Sequence, residues 1–380
     1  MNPVLDSLPV LILYPHNRCN CRCVMCDIWK TDSTQEISAS ELERHGEDIA
    51  RLRVEWVVFS GGEPLMHSDL FRLCRFLRKR NIRTTLLSTG LLLERYADQI
   101  IEYLDDVIVS LDGSKEIHDA IRRVPGAFDL LAAGVAALHQ RNPDFALSAR
   151  STVQSRNCGH LRATMESARG LGLKSISFLA ADVTSEAFNR AVVWNSDRQN
   201  KVALAPDQIS LLEAEVEALI DADECGGFVV ESPQKLRRIV DHFRAHLGLQ
   251  SPVAPRCNAP WVSAVLESDG VVRPCFFHPP IGTIGKGASL LEVLNSPQAI
   301  RFRQALDVST NAVCRRCVCS LNWRAELGGK AALETQNEAS PAGTVAIRPH
   351  VSAVIEHSLA RQCQSQPKPI PLAGVERLKK

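Results

Sequence analysis

The chain has 380 residues, more than one core comfortably fills, so a large domain with an accessory piece is expected. Hydrophobic residues make up 45% and charged residues 23%, an ordinary globular balance, and a net charge of +1 supplies no bulk field toward nucleic acid or a membrane. No apolar stretch reaches the ~18 residues of a membrane span. The apolar run 8–14 follows Asp6 with no Lys or Arg before it, so it reads as a strand and not as a signal peptide. A cytoplasmic chain is expected. There thiols stay reduced, and clustered cysteines more often bind metal than form disulfides.

Strand-like runs occur at 9–15, 54–60, 82–88, 106–112, 145–153 and 175–180, with helical patterns between them. The stretch 38–52 predicts a helix capped by Ser38 or Ser40, with Leu42 and Ile49 on one face. In 68–80, Leu70, Leu73, Phe76 and Leu77 form one stripe. Six βα units predict an α/β fold, a partial (β/α)6 TIM-like barrel over 8–182, too few for a closed eight-fold barrel. A helical connector is expected over 183–250. Its first helix is marked by Pro206, Ile209, Leu212, Val216 and Leu219, and a second lies at about 232–248. Asp269-Gly270 between alternating runs predicts a hairpin, within a small hairpin-plus-helix domain over 251–328. The remainder, 329–380, predicts a weakly ordered tail. With the first strand near residue 9, no leader-binding domain is expected before it.

Four cysteines fall in "CNCRCVMC", 19–26, directly after the first strand. Cys19, Cys23 and Cys26 are spaced CxxxCxxC. Iron–sulfur clusters are held by Cys thiolates, usually four, so a three-Cys loop leaves one iron open to a substrate or cofactor. Half of a zinc ribbon is the alternative for the loop alone. Cys21 is either a spare thiol or a substitute for Cys19. The second strand ends in "FSGGEPL", where Gly61 and Gly62 permit close backbone approach, Glu63 offers a carboxylate to an ammonium and Pro64 fixes the turn. Both segments end strands at the mouth of the sheet, where βα barrels build active sites.

CxxxCxxC followed by GGEP resembles the radical S-adenosylmethionine (SAM) superfamily over about residues 8–180. The resemblance implies that Cys19, Cys23 and Cys26 hold a [4Fe–4S] cluster whose fourth iron chelates the amino and carboxylate groups of SAM. The Gly61–Pro64 segment would hold the amino group. "VSLDG" (109–113) and "HDAIR" (118–122) are similar to family segments, which makes Ser110, Asp112 and Arg122 candidates for SAM's polar groups. "STG" (88–90) resembles the third-strand segment and brings in Ser88, with Thr89 where the family often has Asn. Met25 stands where an aromatic often lies beside the adenine, so a backbone contact is implied. The implied chemistry is reductive cleavage of SAM to methionine and a 5′-deoxyadenosyl radical that abstracts hydrogen from an unactivated C–H bond. A flavodoxin- or ferredoxin-type electron donor goes with it.

A second group comprises Cys257, Cys275, Cys314, Cys317 and Cys319. A two-residue turn at Asp269-Gly270 places Cys275 opposite Ala264. Cys257 lies seven residues before Ala264, ~23 Å along a straight strand, so the chain must bend, and Pro255 and Pro260 allow it. A zinc knuckle is one reading. The region resembles the SPASM/twitch extension of radical SAM enzymes, which implies an auxiliary [4Fe–4S] cluster on Cys257, Cys275, Cys314 and Cys317. Cys319 is an alternative to Cys317 or a free thiol. Cys74 reads as a buried hydrophobe, and Cys158, Cys225 and Cys363 stand alone. His278 and Asp182 are substrate-contact candidates. Three functions follow. One is an oxidoreductase on a small molecule, with the auxiliary cluster in electron transfer. The second modifies a ribosomal peptide. The third is a non-enzymatic iron–sulfur or zinc protein, against which the SAM-pocket segments speak.

Overall fold

The computed structural model describes residues 1–190, 192–285 and 287–323, so the expected tail 329–380, with Cys363, lies outside the described residues. Six parallel strands run β1 Val10–Leu13, β2 Trp56–Phe59, β3 Arg83–Ser88, β4 Asp106–Ser110, β5 Ala146–Val153 and β6 Ile176–Ala180. Each pairs with its sequence neighbour, and helices fill the crossovers. β6 is a sheet edge and does not pair with β1, so the sheet stays open. This is the partial barrel that the sequence predicts.

The predicted helix over 38–52 is two short helices, Ala39–Arg44 and Gly46–Arg51, broken at His45. Ser38 caps the first, in a capping box with Glu41. A Cβ at Gly46 would stand 2.9 Å from the Arg80 guanidinium, which packs tightly across the break. The stripe in Leu70–Arg78 is buried as expected. Helix Gln208–Asp221 buries Ile209, Leu212, Val216 and Leu219, and helix Pro233–His246, capped by Ser232, packs against it and against β6.

The C-terminal hairpin is not a separate appendage. Its first strand, β7 Ser263–Leu266, pairs in parallel with β1 from Val10↔Ser263 to Leu13↔Leu266. β8 Val271–Arg273 and β9 Gly282–Thr283 continue the sheet in antiparallel fashion. The hairpin covers the β1 edge, which otherwise would present unpaired backbone. The turn also differs from the expected two-residue form. Glu267 N donates to Val271 O (2.9 Å), which closes a three-residue loop with Gly270 at φ +83°. Asp269 does not take the positive φ that a type I′ turn demands. The register Val265↔Arg273 therefore carries Cys275 level with Ser263, one residue from the expected Ala264.

On one face of the sheet Leu11, Leu13, Phe59 and Val109 join the helices in the main core. On the other, Val10, Trp56 and Val265 pack with Leu321 and Trp323 of the C-terminal segment. Among the described residues no helix is long and apolar enough to cross a membrane.

Candidate functional site

The loop after β1 is clamped to the end of β2. A Cβ on Gly62 would meet the Arg18 carbonyl oxygen at 1.8 Å, so only glycine admits this approach. Glu63 N donates to Arg18 O (2.9 Å), and His16 Nε2 donates to Glu63 O (2.8 Å) while its Nδ1 accepts from Arg18 N (2.9 Å). That pairing requires the neutral imidazole, and burial lowers the His16 pKa to about 4.

Within the loop, Cys21 is fully buried and hydrogen-bonded to Cys23, which raises its pKa. The same bond and the Arg122 charge hold Cys23 down, to about 7. Burial pushes Cys19 and Cys26 up to about 12. Cys23 Sγ accepts from Arg122 Nη1 (3.5 Å) and Cys26 Sγ from Ile28 N (3.4 Å). Three soft thiols in a loop with N–H donors aimed at two of them fit an iron–sulfur cluster.

Glu63 is fully buried, and burial raises its pKa. Its carboxylate accepts from Leu65 N (3.1 Å), Ser88 Oγ (3.0 Å), Thr89 N (2.6 Å) and Thr89 Oγ1 (2.7 Å). These donors fill most of its lone pairs, so the side chain holds the turn after β3 against the Gly61–Pro64 turn. Pro64 opens the short 3-10 helix Pro64–Met66. Thr89 Oγ1 also lies 3.0 Å from Asn20 Oδ1 of the cysteine loop.

Asp112 and Arg122, read separately from the sequence, form one buried ion pair at 2.6 Å. Asp112 also accepts from Thr152 N (2.8 Å), which ties the ends of β4 and β5 together. Arg22 N and Val24 N donate to the carbonyls of Arg122 and Ile121, stitching the cysteine loop to helix Lys115–Arg122. Ser110 is half-buried at the end of β4, level with Arg150 of β5. Met25 is buried, its Sδ 3.6 Å from Gln154 Nε2.

Several residues here escaped the sequence reading. Gln154 is fully buried at the end of β5 with Oε1 unpaired; a polar residue ending an apolar strand was its signal. Arg190 left none. It lies in the irregular segment after β6, pairs with Asp182 at 2.6 Å and donates to Met25 O (3.3 Å). Asp182 is thus committed to Arg190. Asp27, beside Cys26, accepts from Trp194 Nε1 (2.7 Å) and Arg198 Nη2 (2.6 Å), which straps the same segment over the loop.

The second cysteine group gathers from three segments of the C-terminal region, around β7 and β8 and beside Arg150 of β5. Cys257 precedes helix Ala259–Val262, which feeds β7 level with the start of β1. Asn258 N donates to Leu321 O (2.7 Å) and Asn258 Nδ2 to Trp323 O (2.7 Å), drawing the CxxC segment beside Cys257. The thiols of Cys257, Cys275, Cys314, Cys317 and Cys319 feel one another's charge. Burial pushes Cys275 up to about 12 and Cys314 to about 11. His278 Nε2 lies 3.3 Å from Cys314 Sγ, which places it beside these thiols. Cys317 Sγ donates to Cys319 O (2.7 Å). Among the described residues no three His, Cys, Asp or Glu side chains converge tightly enough for one metal ion. Cluster thiolates stand farther apart, because each meets a different iron.

Comparison with known proteins agrees with this geometry. Residues 13–152 match the radical SAM superfamily, and residues 257–318 match the SPASM iron–sulfur cluster-binding domain. An AdoMet-dependent heme synthase from Methanosarcina barkeri is 33% identical over 162 residues, 40% of this chain and 45% of that protein. The antilisterial bacteriocin subtilosin biosynthesis protein AlbA from Bacillus subtilis is 22% identical over 310 residues, 80% of this chain and 63% of that protein. The match thus spans less than two thirds of either relative. The crystal structure of Streptococcus suis SuiB bound to S-adenosylmethionine shares the fold, with a TM-score of 0.60 at 14% identity over 83% of this chain and 73% of that one. The chain therefore belongs to the radical SAM superfamily and carries a SPASM segment, and its cofactors are S-adenosylmethionine, a SAM-binding [4Fe–4S] cluster and an auxiliary iron–sulfur cluster.

Proposed function

We propose that the chain is a radical SAM oxidoreductase that removes hydrogen from an unactivated C–H bond of a small-molecule substrate. The observation that carries the reading is the convergence of the CxxxCxxC loop, the Gly61–Pro64 turn, Ser88 and the Asp112–Arg122 pair at the C-terminal ends of β1 to β4. Cys19, Cys23 and Cys26 hold the SAM-binding cluster, and Met25, Gly61, Gly62, Glu63, Pro64, Ser88, Ser110, Asp112 and Arg122 shape the SAM pocket. When bound, these cofactors supply one-electron cleavage of a sulfonium and hydrogen-atom abstraction. Arg122 donates to Cys23 Sγ and fixes the loop through its ion pair. Glu63 keeps the β3 turn in place, and the Asp27–Trp194–Arg198 strap keeps water from the loop. Cys257, Cys275, Cys314 and Cys317 would hold the auxiliary [4Fe–4S] cluster, which would supply an electron-transfer site. Residues 8–182 form the core, 183–250 a connector and 251–328 the auxiliary domain. The setting is cytoplasmic, with a flavodoxin- or ferredoxin-type donor.

The match to AlbA across both segments supports a second reading, in which the substrate is a peptide. Conversion of a precursor peptide encoded beside this gene would favour it.

The test is anaerobic reconstitution followed by iron analysis. Two clusters carry about eight irons per chain, and changing Cys19, Cys23 and Cys26 together to Ala should remove about half and abolish 5′-deoxyadenosine formation under dithionite. Full iron retention in that triple variant would sink the assignment of the loop.

A further inference from the structure

β6 is the open edge of the barrel. Val230 N donates to Ile176 O (2.9 Å) and Glu231 accepts from Phe178 N (2.9 Å), so residues 230–231 cover that edge before helix Pro233–His246 begins. The CxxC segment closes the space from the far side, where Arg238 donates to Cys317 O. Between them lies a cavity of about 40 Å³, lined by Arg150, Glu231, Lys235, Arg238, His242 and Cys317. Arg238, His242 and Cys317 also line an adjoining cavity of about 450 Å³, which adds Arg315 and Arg316 at its wall.

At the inner cavity cations outnumber carboxylates. Arg150 is anchored through Nε to Ser177 Oγ (3.2 Å), and Arg238 through Nη2 to a carbonyl. Among the described residues neither guanidinium meets a carboxylate at ion-pair distance, and each keeps N–H donors to spare. The carboxylates in reach are Glu231 and, on the outer side, Asp241, and the thiols of Cys317 and Cys319 add their charge beside Arg238 and Arg150, against Arg150, Arg238, Arg315 and Arg316. Glu231 accepts from the Phe178 amide, and burial raises its pKa to about 7. A guanidinium that keeps N–H donors to spare beside a cavity gains from an anion that can accept from them.

We infer that the inner cavity receives a carboxylate of the substrate, gripped by Arg150 and Arg238, with the rest of the substrate in the adjoining cavity. The inference rests on the proposed function. The planar guanidinium fork matches a carboxylate through two parallel hydrogen bonds. At ~10–15 Å³ per water-sized occupant, a 40 Å³ space takes the three heavy atoms of a carboxylate and little more. Arg150 is level with Ser110 of β4, which puts it at the same height as the end of a strand that carries a SAM segment.

The test is ligand-observed NMR on the anaerobically reconstituted holoenzyme, with glutarate against its uncharged diamide. A tripeptide with a central glutamate, blocked at both ends, is compared with its glutamine counterpart. Glutarate should bind saturably and the diamide should not. If the peptide alone binds, in a way that depends on its carboxylate, the source is a peptide; if glutarate binds, it is a small acid. Arg150→Gln and Arg238→Gln should each weaken binding about tenfold or more, the worth of a charge-assisted bond, while circular dichroism and iron content report folding. Equal binding of diamide and glutarate, tighter binding of inorganic phosphate, no binding of either carboxylate, or parent affinity in both folded variants would each overturn the inference. The parent-protein comparison needs no variant. Formation of 5′-deoxyadenosine by the parent judges the SAM reading separately, since it requires no carboxylate.

Discussion

Gly62→Ala tests how the SAM segments and the cysteine loop depend on one another. The added Cβ would stand 1.8 Å from the Arg18 carbonyl oxygen and 2.6 Å from the carbonyl carbon, and both are backbone atoms that cannot rotate away. Ordinary contact begins at 3.4 Å, so the start of the cysteine loop must retreat by most of the difference. The retreat breaks the Glu63 N to Arg18 O bond and disturbs His16, which bridges the same two segments. Overpacking of this kind costs ~1–3 kcal/mol, read as a lower midpoint in chemical denaturation under anaerobic conditions. A misplacement of about 1 Å near reacting groups costs ~100-fold in rate, read as slower 5′-deoxyadenosine formation. Gly126→Ala is the control. It carries φ +76° with nothing within 4 Å of the new Cβ, so it should cost only the ~1–2 kcal/mol of a left-handed residue and leave the rate alone. If Gly62→Ala keeps both the parent midpoint and the parent rate, the loop does not rest on this turn and the clamp is wrong.

Asp112→Asn breaks a buried pair with Arg122 and should destabilise by ~3–5 kcal/mol, and the Arg122 side chain should then swing away from Cys23; a cost below ~1 kcal/mol in urea denaturation would contradict the burial argument. Cys21→Ala should keep full iron content and 5′-deoxyadenosine formation, and loss of the low-potential cluster signal in electron paramagnetic resonance would mean that Cys21 belongs to the triad. Burial lowers the His118 pKa to about 3, so below its unfolded pKa the unfolded chain takes up a proton that the native chain refuses. Stability should therefore be complete above about pH 6.5 and fall toward pH 3, by up to ~1.4 kcal/mol per unit. His118→Gln should flatten that slope, and an unchanged slope would show that His118 is not held neutral.

The parts legible in sequence were local. Six strands and both cysteine groups announced themselves because periodicity and spacing need only neighbouring residues. Partner choice was hidden. Asp112 and Arg122 both stood out, yet their ion pair depends on helix Lys115–Arg122 folding back beneath the end of β4. In sequence Glu63 offers a carboxylate to an ammonium; its bonds to Ser88 and Thr89, twenty-five and twenty-six residues away, are visible only in the fold. The hairpin register missed by one residue because Asp-Gly serves a two-residue turn and a three-residue turn with a left-handed glycine equally well. Arg190 and Asp27 were invisible because an irregular segment has no period, and their importance comes from what they touch.

β1 is the mechanical link between the two cysteine groups. It has only four residues, all buried, with β2 on one side and β7 on the other. Its C-terminal end leads into the Cys19–Cys26 loop, and β2 leads into the glycine turn that clamps that loop. β7 begins just after Cys257, level with Val10. A second tie runs through the aromatic rings, where Phe188 of the strap meets Phe277 beside Cys275 at 6.2 Å between centroids. In a strand pair a slip of one residue turns every side chain to the opposite face. The second cysteine group can therefore rearrange by bending its own loops, but it cannot shift β7 along β1 without exposing the core that positions the first.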